Sequence, residues 1–228
     1  MIPPLAAWGL SGTPEPLAGG HRNAVLRVGG HVLKSTRRDE AAIAWLLPVL
    51  EAAEACGLRV AQPIRSASGA LVVDGWTCET RLPGVKSAVA PLAPMIRAFH
   101  EQARGLPQRP GFASSQTLLH QRAGGDVDLN LLPADLVRAV RAAWSELAGN
   151  EQGIVHGDLN AGNILRDADG RYALIDWDEA RRDVLAFDLA AMDSADPKTA
   201  RAALAWEIAC CWQAEPDRAR SLARDFMA

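Results

Sequence analysis

Between residues 24 and 34 the apolar positions alternate: Ala24, Leu26 and Val28 on one side of Gly29-Gly30, Val32 on the other. A period of two is that of a half-buried strand, and a Gly-Gly pair supplies a tight turn, so residues 21–35 are predicted to form a hairpin. From 38 to 56 the period lengthens. Ile43, Leu46, Leu47 and Leu50 fall on one helical face, and Gly57 stops the helix. Pro48 lies inside this run and should kink or shorten it, because proline has no N–H for the preceding turn. Strand character returns over 58–82 in three runs, 58–64, 70–76 and 77–82.

Pro83-Gly84 marks a boundary. Beyond it, 88–104 and 133–148 carry helix-spaced apolar residues, flanking a polar, Gly- and Pro-containing stretch at 105–132. The runs 163–166 (NILR) and 172–176 (YALID) read as a second hairpin around Asp169-Gly170. From 184 onward two or three helices are expected, with Pro197 and Pro216 at early helical positions. This order predicts an α+β chain of two lobes: a small β-rich lobe over 1–82 and a larger helical lobe over 83–228. A small-molecule site is expected in the cleft between them.

Composition narrows the classes. With 228 residues, 49% hydrophobic and 22% charged, the chain has material for a packed core, which excludes disorder as its main state. A net charge of -3 argues against nucleic acid as a partner. Cys56, Cys78, Cys210 and Cys211 form no C-x-x-C pair, so neither a disulfide framework nor a structural zinc site is expected, and a cytoplasmic setting is the simplest. No apolar run reaches membrane-spanning length, and the amino terminus lacks signal-peptide character. Lys34, Lys86 and Lys198 are the only lysines, so a chemistry that needs one has few candidates.

The informative stretch is 154–178, IVHGDLNAGNILRDADGRYALIDWDEA. A hairpin returns its far end to its start, so Asp176 is expected beside Asn163, five residues beyond Asp158. A carboxylate and an amide oxygen together suit a hard cation, and Asp158 across the loop would be free to accept a proton. Each such residue alone is an ordinary turn former. Their agreement in order and spacing matches the parts that phosphoryl transfer needs: His-x-Asp, four residues, Asn, and an Asp after a hairpin.

HGDLNAGNIL followed by IDWDEA resembles the aminoglycoside phosphotransferase and choline kinase family, a branch of the protein-kinase-like fold. Gly157 and Trp177-Asp178 point to the small-molecule branch. The resemblance implies a bilobal kinase-like fold, with Asp158 as catalytic base and Asn163 and Asp176 holding Mg²⁺. It also implies that His156 braces the loop, His100 is a core histidine, and Asp188 ties the loop down. In the small lobe it assigns Lys34 to the phosphates of ATP and Gly19, Gly20 and Asn23 to a phosphate-contacting turn. Glu40 becomes the lysine's acidic partner, with Asp39, Glu51 and Glu54 as alternatives. Residues Glu79, Thr80 and Arg81 are placed along the adenine through their backbone groups.

The implied activity is ATP-dependent transfer of a phosphate to a hydroxyl of a small-molecule acceptor. The alternative is a catalytically inactive nucleotide-binding regulatory module of the same fold. No membrane partner is expected. Few residues follow Asp176, so the acceptor pocket is expected to be small, open, or completed in a homodimer. Trp177, Trp206 and Trp212 would suit a quaternary ammonium. Asp178, Asp183, Asp193 and Glu207 would suit an amino sugar, and the acceptor stays open at this point.

Overall fold

The computed structural model describes residues 2–17, 23–192 and 196–228. Its chain begins with β1 (Glu15–Pro16), β2 (Val25–Val28) and β3 (His31–Ser35). A helix follows in two pieces, α1 (Glu40–Ala44) and α2 (Leu46–Ala55), and then β4 (Arg59–Val60) and β5 (Trp76–Thr80). Strands β1, β2, β3 and β5 pair in that order as an antiparallel sheet. The β2–β3 turn closes at Val28 opposite His31, with Gly29 at φ 55°. Asp39 caps α1 by accepting a hydrogen bond from the Ala42 N–H at 2.8 Å. The helix breaks after Ala44, the residue whose carbonyl would meet the ring of Pro48 four positions on.

Two of the three predicted strands between 58 and 82 are shorter than their apolar pattern suggests. Residues 58–64 contribute only β4. In 70–76, Asp74 and Gly75 take positive φ, 49° and 74°, and form a turn that sets Val73 opposite Trp76. The Asp-Gly turn signal prevails there over the alternation around it.

The rest of the chain comprises β6 (Val85–Lys86), α3 (Ala93–Gln102), β7 (Ala123–Gly124), β8 (Val127–Asp128), α4 (Ala134–Ser145) and β9 (Gln152–Val155). Then come β10 (Ile164–Arg166), β11 (Tyr172–Leu174), β12 (Arg181–Val184), α5 (Ala186–Leu189), α6 (Pro197–Ala214) and α7 (Pro216–Met227). The β10–β11 hairpin is flanked by β6 on one side and, in parallel, by β4 on the other. Val49, Leu50 and Ala53 of α2 share one buried core with Ile96 and Phe99 of α3 and Ile164 and Leu174 of the hairpin. A cut at 82–83 therefore runs through a packed layer.

A separate core joins α4, α6 and α7 through Val140, Trp144, Ala205, Ala209 and Phe226. Strand β12, pairing with β9, is invisible to a hydrophobicity pattern because its inward side chains are Arg181 and Asp183. Both are essentially fully buried, and they neutralise each other at 2.8 Å. No helix among the described residues is long and apolar enough to cross a membrane.

Candidate active site

The register of the small sheet sets one side of the site. Lys34 pairs with Thr77 and Val32 with Glu79, so Lys34 and Glu79 are diagonal neighbours on one face. Lys34 Nζ lies 3.1 Å from Glu79 Oε1 and 3.4 Å from Asp176 Oδ1, across 142 residues of sequence. Burial alone would lower the Lys34 pKa. The carboxylates of Glu79, Asp176 and Asp178 outweigh it, so the ammonium is held charged well above its ordinary range. Burial likewise raises Glu79, against the pull of Lys34.

The β10–β11 hairpin sets the other side. The Ile175 N–H donates to Asn163 O at 2.9 Å, which carries Asp176 to the start of β10. Asp176 has φ 65°, an uncommon conformation for a residue with a side chain, and it opens the turn Trp177–Glu179. Asn163 Nδ2 donates to both the carbonyl and Oδ2 of Asp158, each at 2.9 Å. This leaves the Asn163 amide oxygen as the atom that could bind a cation. Asn160 Nδ2 donates to Asp158 Oδ1 at 2.9 Å, so amide donors orient both carboxylate oxygens. Among the described residues no group of three His, Cys, Asp or Glu side chains forms a ready-made metal cage. One carboxylate and one amide oxygen nevertheless suit Mg²⁺, which usually keeps waters and substrate phosphates as its remaining ligands.

A buried scaffold holds the loop. Asp188 Oδ2 accepts from the His156 N–H at 2.8 Å and Oδ1 from the Gly157 N–H at 3.0 Å, while His100 Nε2 lies 3.1 Å from Oδ2. His156 packs edge-on against Trp177, with ring centroids 4.8 Å apart, and its Nε2 is 3.0 Å from Ile175 O. Gly157 has φ 83°, and a Cβ there would stand 2.6 Å from both Arg181 Nη1 and Glu179 O. Only glycine fits at that position.

The other nominated residues divide. Gly19 and Gly20 lie outside the described residues. Asn23 lines the cleft, and its side chain donates to Asp178 Oδ2 at 2.8 Å. Glu40 is not beside the lysine. Its carboxylate accepts from the N–H groups of Leu71 and Val72 at 2.9–3.0 Å and lies 3.7 Å from Arg65. The register of β3 and β5 brings Glu79 to Lys34 instead, so the assignment of Glu40 is corrected to Glu79 in geometry.

The N–H groups of Thr80 and Arg81 are committed to Gln62 O (3.4 Å) and Gly30 O (2.9 Å). They line the cleft but have no free main-chain donor for a base. The sequence reading gives no role to Asn160, which grips Asp158, or to Arg109, which is buried behind the turn Trp177–Glu179. Asn160 was recoverable from its i+2 spacing to Asp158. Arg109, between Pro107 and Pro110, belongs to no periodic pattern.

A continuous cleft of about 1600 Å³ runs from Val32, Thr80 and Leu82 past Lys34, Asp158 and Asp176 to Phe187, Trp206 and Glu215. Its far end is therefore built by α6 and the start of α7. Trp206 offers no open ring face to a ligand cation on one side, because the Arg181 guanidinium carbon sits 3.5 Å from its centroid. Trp177 is core, packed edge-on against Phe99. Trp212 donates its indole N–H to Leu131 O. Asp183 is consumed by Arg181 and by Ser115, whose N–H and hydroxyl both donate to it, and Asp193 lies outside the described residues. Asp126, Asp128, Asp178, Glu179, Glu207 and Glu215 line the cleft. Three of the cleft's arginines are paired, Arg38 with Asp126, Arg181 with Asp183 and Arg218 with Glu207, while Arg37 lines it as well.

The exchange of Glu40 for Glu79 has a measurable consequence. Glu79→Gln should weaken nucleotide binding about tenfold by freeing Lys34 from its fixed position. Glu40→Gln should leave nucleotide affinity unchanged and lower the melting temperature, since it loosens only the 71–72 segment. Calorimetric titration with ADP and thermal unfolding of both variants check this.

The sequence model described as the phosphotransferase enzyme family matches residues 13–222. Among solved structures, a microcompartment-associated aminopropanol kinase superposes with a TM-score of 0.66 at 16% identity, covering 97% of this chain and 93% of its own. Choline kinase LicA from Streptococcus pneumoniae gives a TM-score of 0.60 at 15% identity, covering 95% of each chain. A spectinomycin phosphotransferase in complex with ADP and spectinomycin gives 0.61 at 13%, over 97% of this chain and 87% of its own. At these identities the likeness is one of fold. No curated protein sequence matches.

Proposed function

The chain belongs to the phosphotransferase enzyme family, and from that premise we propose that it is a kinase moving the γ-phosphate of ATP to a hydroxyl of a small, positively charged acceptor. One observation carries the reading: Lys34 and Asp176, 142 residues apart, meet at 3.4 Å in the cleft that Asp158 also lines. A cation for the phosphates, a metal-holding carboxylate and a base are the parts this reaction requires.

In this reading the base enters between β2, β3 and the floor strand β10, and the first main-chain N–H past the β5 ladder, that of Leu82, meets its edge. Lys34 holds the phosphates from above. Asn163 and Asp176 would hold Mg²⁺, which would neutralise phosphate charge during transfer. Asp158, aligned by Asn160 and Asn163, accepts the proton of the acceptor hydroxyl. That oxygen then bonds to the γ-phosphorus, the bond to the bridging oxygen breaks, and ADP departs with the electron pair.

The charge of the cleft supports the acceptor class. Asp128 and Asp178 line it and are hydrogen-bonded by the neutral amides of Asn130 and Asn23 rather than by arginines, while Trp206 is stacked by Arg181. Carboxylates attract an ammonium group directly, so amino alcohols and amino sugars are the compounds to test first. The three solved relatives are named for aminopropanol, choline and spectinomycin.

ADP release measured with Mg²⁺, ATP and a panel of neutral, acidic and basic hydroxyl compounds tests the proposal. Turnover confined to basic compounds is expected. Turnover only with acidic acceptors would overturn the acceptor class. Mg-ATP binding without turnover across the panel would favour a regulatory module.

A further inference from the structure

Arg109 lies in the connection after α3 and is only 1% exposed. Its guanidinium makes no ion pair among the described residues and is held by carbonyls. Nε donates to Ala42 O of α1 at 3.0 Å. Nη1 donates to Asp178 O at 2.9 Å, with Ala180 O at 3.2 Å and Trp177 O at 3.3 Å. Nη2 is buried with no hydrogen-bond partner among the described residues.

One face of the group lies over Phe112, its carbon 4.4 Å from the ring centroid, and Arg38 lies over the same ring at 4.6 Å. The Gln108 side chain pins the connection to β12: Oε1 accepts from the Arg182 N–H at 3.0 Å and Nε2 donates to Arg182 O at 2.8 Å. Burial lowers the Arg109 pKa to about 10, with Asp178 opposing. The group therefore stays charged at neutral pH.

A buried cation costs several kcal/mol unless well satisfied, so its retention without a carboxylate partner calls for a reason. The carbonyls it gathers supply one. Three belong to the turn that begins immediately after Asp176, and the fourth belongs to the small-lobe helix. Helix α1 does not reach the site through Glu40, which is occupied at Leu71 and Val72.

We propose that Arg109 is a positioning residue that ties the turn Trp177–Ala180 to α1, and so fixes the direction in which Asp176 presents its carboxylate to the metal. The inference rests on the reading of Asp176 as metal-holding. By this linkage, a change in the metal loop is felt at α1. The same linkage supports Asp176 in its left-handed conformation, which is uncommon for a residue with a side chain.

Two measurements test it. The first uses the unaltered protein. Hydrogen exchange at the amides of residues 41–44 should slow when Mg²⁺ is added to the ADP-bound protein, together with that of 177–180. Protection at 177–180 without any at 41–44 overturns the linkage. If Mg²⁺ protects neither segment and leaves ADP affinity unchanged, the metal assignment of Asp176 fails first, and this inference with it.

The second compares Arg109→Met and Arg109→Lys. Half-saturation of turnover by Mg²⁺ should rise about tenfold in the methionine variant, the usual scale for losing a group that orients a metal ligand. Metal-free ADP affinity should be unchanged, and lysine should recover part of the loss. A folded Arg109→Met protein with the Mg²⁺ dependence of the parent overturns the proposal. Should the variant fail to fold, the exchange measurement still decides.

Discussion

Changing Asp158 to Asn lowers kcat by about a thousandfold, while Mg-nucleotide affinity and melting temperature stay close to those of the parent protein. The asparagine keeps the shape of the side chain and removes the one atom set that can take a proton. Alanine is a less informative replacement. Asn163 Nδ2 shares itself between the Asp158 carbonyl and its carboxylate, and truncation would release the second contact and let the amide turn. Asparagine keeps one side-chain oxygen that can accept from Asn160 or Asn163, so the loop loses one of these contacts rather than both. The experiment is ADP release under saturating Mg-ATP and acceptor, with nucleotide affinity measured on the same preparation. If the asparagine variant keeps more than a tenth of the parent kcat, Asp158 is not the base. If affinity falls along with kcat, Asp158 serves the metal instead.

The residues of this loop were legible in the sequence because the geometry is local. Asp158, Asn160 and Asn163 lie within six positions of one another, and the hairpin that follows brings Asp176 back by a single turn at Asp169-Gly170. The bilobal α+β arrangement was legible for a similar reason: periods of two and of 3.6 mark β2, β3, α2, α3 and α4.

What escaped depended on strand pairing over long distances or on charge inside the core. Glu79 meets Lys34 only because β3 and β5 pair in one register, and a shift of one residue would turn Glu79 to the opposite face. Glu40, nearer in sequence, was the natural nomination until that register was known. Strand β12 carries Arg181 and Asp183 inward, and Arg109 is buried among carbonyls. Rules that assign charged residues to the surface fail at all three positions. Arg109 and Arg181 both donate to carbonyls of the turn that follows Asp176, where an orienting charge is needed more than an apolar contact.

Asp188 is the other position where one atom exchange should have a large effect. Asp188→Asn is expected to cost about 3 kcal/mol of stability at pH 7 and to reduce kcat at least tenfold. The carboxylate is 1% exposed and serves three donors: the His156 and Gly157 amides and His100 Nε2. An amide presents one accepting oxygen and one donating nitrogen, so at least one of these N–H groups would face another donor. Asp158 is two residues beyond His156, and its own N–H lies 3.3 Å from His156 Nδ1, so the displacement is transmitted to Asp158.

The pH dependence separates this from simple loss of packing. Burial would raise the Asp188 pKa, but His100, His156 and the Gly157 N–H outweigh it and hold the carboxyl below its ordinary value. A carboxyl whose folded pKa is depressed contributes stability that is present above the unfolded value. That contribution is lost as pH falls from about 4 through the folded pKa. The stability gap between parent and Asp188→Asn should therefore be full at pH 7 and narrow on acidification below about pH 4. Urea unfolding at pH 7, 5 and 3 measures the gap directly. A gap of equal size at all three would show that the ionised form of Asp188 is not what ties down the loop, and the loss of kcat would then need another cause.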